Sequence, residues 1–105
     1  MELHQLQAEV TAWSQRNFPN NKPYHPLLGA MEELGELTHA HLKLEQGIRG
    51  SESELKAAKI DAIGDIIIYL ADYCGRNGIN LQAAVESTWF LVSKRDWQKN
   101  PTTGK

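Results

Sequence analysis

Cysteine is almost missing from this chain of 105 residues, and Cys74 is the only one. A lone cysteine cannot form an internal disulfide, which excludes a disulfide scaffold and suits a reducing compartment. Long apolar runs are missing too. The longest, "IIIYLA" from Ile66 to Ala71, is far too short to cross a bilayer. Excess charge of one sign is absent: the formal net charge is −2, so no basic surface invites polymeric nucleic acid or a membrane. The first residues, "MELHQLQAEV", lack the basic then apolar order of a secretion signal. A cytoplasmic protein is the resulting expectation. Prolines are few, and three of the four fall in "NFPNNKPYHP", where they interrupt rather than decorate regular structure.

What remains has helical period and no convincing strand alternation. Leu3, Leu6, Val10 and Trp13 recur at steps of three or four, predicting a helix over residues 2–17. A second helix is expected from about Pro26 to Gln46, stopped by Gly47. A third starts at Ser51, where "SESE" reads as a capping box, and continues to about Cys74. Asn80 is a favourable N-cap for a fourth helix reaching about Lys99, after which "PTTGK" reads as a loose tail. No repeat or long linker divides the chain, so one all-α domain, a four-helix bundle with short connections, is expected over residues 1–105.

The second helix carries "MEELGELTHAHLKLEQG", with Glu32, Glu33 and Glu36 close together. Leu27, Met31, Leu34, Leu37, Leu42 and Leu44 make one apolar sector, and Glu32, Glu36, His39 and Lys43 lie opposite, with Glu33 at the edge. By itself this is an ordinary solvated face. The third helix alters the reading. In "AAKIDAIGDIIIYLADYC" apolar residues point in nearly every direction, the mark of a buried helix. Asp61, Asp65 and Asp72 nevertheless fall within about 40° of one another on it. Buried carboxylates need bases or a shared cation. Lys56 and Lys59 point elsewhere. Hard divalent cations take oxygen ligands, and Mg²⁺ is often held by a few carboxylates, waters and substrate phosphates. Glu33 with Glu36, and Asp61 with Asp65, each project to one side of their helix. Antiparallel packing across "GIRG" would join them into a Mg²⁺ site.

Here the chain resembles a known family. "EELGE" (Glu32 to Glu36) followed by "DAIGDIIIYL" (Asp61 to Leu70) is similar to the motifs of the MazG-like all-α nucleoside triphosphate pyrophosphohydrolases: Glu-Glu-x-x-Glu on one helix, then Glu-x-x-Asp on the next. "AEVTAWSQRNF", "PYHPLLGAMEELGEL" and "SKRDWQKNP" extend the likeness over most of the chain. One position departs from it: Ala62 stands where the family has glutamate, with Asp61 one residue earlier.

The resemblance implies Mg²⁺-dependent hydrolysis of a nucleoside triphosphate between its α and β phosphates, with Mn²⁺ as a possible substitute. It implies Glu33, Glu36, Asp65 and Asp61 as metal ligands, and Glu32 as a ligand or water-orienting residue. It points to Trp13, Phe18 and His25 for the base, beside core packing for Trp13. Lys94 and Arg95 would reach a phosphate, particularly from a neighbouring subunit, or simply end a helix. A homodimer or homotetramer, joined through the central helices, is expected both from the family and from the third helix's all-round apolarity. A di-iron oxidase fits poorly, because Glu36 and His39 supply the only Glu-x-x-His unit. The alternative is a non-catalytic oligomerisation or nucleotide-binding module of the same fold.

Overall fold

A computed structural model describes residues 1–105 as four helices and no strand: α1 (Leu3–Asn17), α2 (His25–Gln46), α3 (Glu52–Arg76) and α4 (Leu81–Val92). Each of the first three follows its period closely. The Glu2 backbone N–H donates to Gln5 Oε1 at 2.7 Å and opens α1. Pro26 sits in the first turn of α2, where a missing N–H costs nothing. Gly47 closes α2 with a left-handed backbone, φ 70°. At α3, Ser51 Oγ accepts from the Glu54 N–H at 3.2 Å. Glu54 then takes the Ser51 hydroxyl at 2.8 Å rather than its backbone N–H, so only half of the expected capping box forms.

α2 and α3 run antiparallel and make the most extensive contact of the fold, and α1 packs on the far end of α3. The α2 seam is not the leucine sector. Its buried and part-buried positions include Pro26, Ala30, Glu33, Leu37, Ala40 and Leu44, spaced by fours and threes. Leu27, Met31, Leu34 and Leu42 are instead exposed. On α3 the facing seam reads Leu55, Ala62, Asp65, Tyr69, Asp72 and Arg76. Small residues bring the backbones close, and carboxylates stand in the middle of the contact.

The apolar core lies elsewhere, where Val10, Ala71, Cys74 and Leu81 pack with Leu3, Leu6 and Tyr73. Gln7 ties α1 to the α3–α4 turn: its Nε2 donates to the Ile79 carbonyl at 2.7 Å, and its Oε1 accepts from the Leu81 N–H at 2.9 Å.

Three further expectations need correcting. α3 is not buried all round: Ile60 is 73% exposed, and Ile63, Ile67 and Ile68 also face outward. α4 ends at Val92 rather than near Lys99. Beyond it, Asp96 Oδ1 accepts from the Lys99 N–H at 2.9 Å, the Asp96 N–H reaches the Gly104 carbonyl, and the Trp97 ring lies where Gly104 would carry a Cβ. An aspartate that bonds nearby backbone offers an alternative to helix. The last residues are therefore folded back rather than loose.

α4 touches α1 and α3 only lightly and leaves Trp89, Phe90 and Leu91 exposed. The radius of gyration is 17.1 Å, against about 13 Å for a compact chain of this length. No helix is long and apolar enough to cross a membrane.

Candidate functional site: two cavities with a shared wall

The α2–α3 seam opens into two adjoining cavities. One, about 300 Å³, is lined by Glu33, Glu36, His39, Asp61 and Asp65 with Leu55, Ala58, Ala40 and Ala62. All four expected metal ligands therefore border a single space. The antiparallel packing of α2 on α3 brings them together, because three- and four-residue spacings put each pair on one side of its helix. None of the four has a hydrogen-bond or ion-pair partner: the chain's three ion pairs are His4–Glu2, Lys56–Glu52 and Arg76–Asp72. The Glu33 carboxyl is raised above the usual glutamate range, first by loss of water around it, then by the charges of Asp65, Glu36, Glu32 and Asp61.

Oxygen donors of one sign, with no lysine or arginine on the walls to neutralise them, are a donor set suited to a hard divalent cation. The side chains stand on the walls, and no three His, Cys, Asp or Glu groups converge on one point. Glu32 is exposed and lies outside both cavities. His39, set aside in the sequence, does border the acidic space. Ala62 is 2% exposed and puts a methyl group, not a carboxylate, on that cavity's wall.

The second cavity, about 510 Å³, is lined by Trp13, Phe18, Asn21, His25, Ile68, Tyr69 and Asp72 with Pro26 and Gly29, and again by Glu33 and Asp65. The three residues singled out for a base, Trp13, Phe18 and His25, are thus neighbours. Trp13 is not a core residue: it is half-exposed and meets Phe18 edge-to-face, with centroids 5.6 Å apart at 75°. His25 Nδ1 accepts from the Lys22 N–H at 2.9 Å, which leaves Nε2 to carry the proton of the neutral ring.

Arg76 holds the cavity's far wall. Its Nε donates to Asp72 Oδ1 at 2.9 Å, and its terminal nitrogens donate to Ser14 Oγ at 2.7 Å, the Phe18 carbonyl at 3.0 Å and the Asn21 carbonyl at 3.1 Å. One side chain so fixes the end of α1 and the following loop against α3. Asp72, grouped by sequence with the cation-seeking acids, has this base four residues on. It leaves the metal question to Asp61 and Asp65.

Tyr69 went unrecognised in the sequence because its place depends on tertiary packing. Its ring occupies the space a Cβ at Gly29 would need. Burial, then the charges of Glu33, Glu32, Asp65 and Asp72, push its hydroxyl pKa upward.

Lys94 and Arg95 border neither cavity. Lys94 Nζ lies 3.6 Å from the Phe90 ring centroid, on the outward part of the chain after α4. Cys74 is buried in the core, and burial raises its thiol pKa, the opposite of an activated nucleophile. No protein-family model, no curated protein and no solved structure matches this chain. Its chemistry must be read from these two cavities.

Proposed function

We propose that this chain is a Mg²⁺-dependent nucleoside triphosphate pyrophosphohydrolase of MazG-like type, releasing a nucleoside monophosphate and pyrophosphate. One observation carries the reading: Glu33 and Asp65 border both an aromatic cavity and an acidic one. A ligand spanning them needs a flat apolar part and a part that tolerates carboxylates only through cations. A nucleotide with its metal-bound polyphosphate has both.

In this reading Glu33, Glu36, Asp61 and Asp65 are the side chains that would hold Mg²⁺, or Mn²⁺ in its place. When bound, such an ion polarises a phosphoryl oxygen and lowers the pKa of the attacking water. One ring of the edge-to-face pair Trp13 and Phe18 stacks on the base while the other borders its edge, and the His25 Nε2–H gives it a hydrogen bond. No side-chain nucleophile is required.

The functional unit is a homodimer or homotetramer. The exposed isoleucines of α3, the uncovered aromatic face of α4 and the extended shape of the single chain support this. Lys94 and Arg95, remote from the cavities of their own chain, contact phosphate from a second copy.

A non-catalytic nucleotide-binding module is the second reading. Ala62 at a ligand position of the family motif favours it. Incubation with a panel of standard and modified triphosphates plus Mg²⁺, followed by a pyrophosphate assay, separates the two. Turnover lost in Glu36→Ala supports the enzyme. Binding without turnover of any nucleotide supports the module.

A further inference from the structure

The aromatic cavity holds a polar group that the proposed reaction does not use. Asp72 is only 7% exposed. Its Oδ1 accepts from Arg76 Nε at 2.9 Å, but Oδ2 has no partner in the chain. No side-chain oxygen here is both sealed from the surface and unsatisfied, so Oδ2 remains accessible, and Asp72 lines the aromatic cavity. Arg76 cannot turn to cover it. Its terminal nitrogens are engaged by Ser14, Phe18 and Asn21.

A carboxylate paired with a guanidinium accepts hydrogen bonds and donates none. Donors stand on the same cavity. The His25 Nε2–H is one, since Nδ1 is occupied by the Lys22 N–H. The Asn21 side-chain amide, which has no hydrogen bond within the chain, is another and lines the same space. The walls thus present an acceptor and donors around an aromatic surface of Trp13, Phe18 and Tyr69.

Cytosine and adenine carry an exocyclic amine, a donor, directly beside a ring nitrogen that accepts. Uracil places a carbonyl oxygen where that amine would be, and it would face Asp72 Oδ2 with no proton between them. Guanine has its O6 carbonyl where adenine has the amine, and carries its own amine at C2 instead. An unpaired polar contact inside a protein is costly enough to separate such ligands.

We infer that Asp72 determines base specificity, selecting nucleotides whose base carries an amine rather than a carbonyl at C4 of a pyrimidine or C6 of a purine, beside a ring-nitrogen acceptor. This rests on the nucleotide reading above and adds to it the class of base.

The test is calorimetric binding of the α,β-methylene analogues of CTP, ATP, UTP and GTP to the full chain with Mg²⁺. The N4,N4-dimethyl form of the CTP analogue is included, because it cannot donate. The CTP or ATP analogue binds about tenfold or more tighter than those of UTP and GTP. Comparing the CTP and ATP arms shows which amino base is taken. Binding of the CTP analogue is lost on dimethylation. Asp72→Asn keeps an oxygen for Arg76 and turns an amide N–H₂ to the cavity, so it shifts preference toward uracil. The ligand series needs no variant and stands even if Asp72→Asn fails to fold. A UTP or GTP analogue binding as tightly as both amino bases overturns the inference, as does full affinity for the dimethyl compound if the CTP analogue is the preferred one.

A pyrophosphate assay on the natural triphosphates runs in parallel. Amino-base preference without turnover removes the hydrolase and leaves Asp72's role. Turnover with no base preference does the reverse. No binding of any analogue overturns both.

Discussion

Glu33 on α2 and Asp65 on α3 border the acidic and the aromatic cavity at once, and neither has a partner within the chain. Their mutual repulsion helps hold the Glu33 carboxyl above its ordinary value of 4.5. A carboxyl raised in the folded state favours folding while protonated, and that contribution is lost as pH rises through the folded value. The metal-free protein is therefore destabilised at neutral pH by this cluster. Glu33→Gln is expected to raise the melting temperature at pH 7 without divalent ions. The gain should vanish below the ordinary glutamate value, where the wild-type carboxyl is protonated and as uncharged as the variant's amide. Millimolar Mg²⁺ should raise the wild-type melting temperature and do less for the variant. Thermal melts across pH, with and without Mg²⁺, measure all three.

Gly29 gives Tyr69 its place on the cavity wall. In Gly29→Ala the methyl and the ring claim one position, and overpacking of this kind costs about 1–3 kcal/mol. Urea denaturation reads the loss. Nucleotide-analogue binding should weaken with it, because the displaced ring moves within the cavity. Unchanged stability would mean that the ring has room to yield.

Arg76 joins Asp72, Ser14, Phe18 and Asn21 in one network, and the side chains of the ion pair are 12% and 10% exposed. Arg76→Ala strands the Asp72 charge and frees the loop after α1. Removing one partner of a buried pair costs about 3–5 kcal/mol. Arg76→Lys should recover little, since a single ammonium cannot reach four acceptors in a fixed fork. Denaturation midpoints for the two variants decide this.

The exposed α3 isoleucines and α4 aromatics predict self-association. Light scattering on the purified chain should give a dimer or tetramer, and Ile63→Glu should shift it toward smaller species. A stable monomer at micromolar concentration would contradict the oligomeric reading.

Helix positions were legible in the sequence wherever local chemistry decides them. The Ser51 and Asn80 caps, the Gly47 stop and the proline-rich loop each mark a boundary that forms. The end of α4 was not legible, because Asp96, Trp97 and Gly104 compete with the helix through contacts made only after the chain turns back. Periodicity also chose the wrong face of α2. It favours the face richest in leucine, while α2 meets α3 through small residues and Glu33. The acids of "EELGE" and "DAIGD" still meet at one cavity, because their three- and four-residue spacings suffice, although α3 is not apolar and buried all round as the sequence suggests. Tyr69, Asn21 and the Asp72–Arg76 pair became visible only when three segments met at one cavity.

The most direct test of the proposed site is pyrophosphate release from a panel of nucleoside triphosphates with Mg²⁺, for the wild type and for Glu36→Ala and Asp65→Ala. The shared carboxylate wall predicts turnover of at least one triphosphate. It also predicts about a hundredfold or greater loss in either variant, the scale expected when catalysis relies on metal-held charge stabilisation. Full activity in both variants, or no turnover of any triphosphate by the wild type, would contradict it.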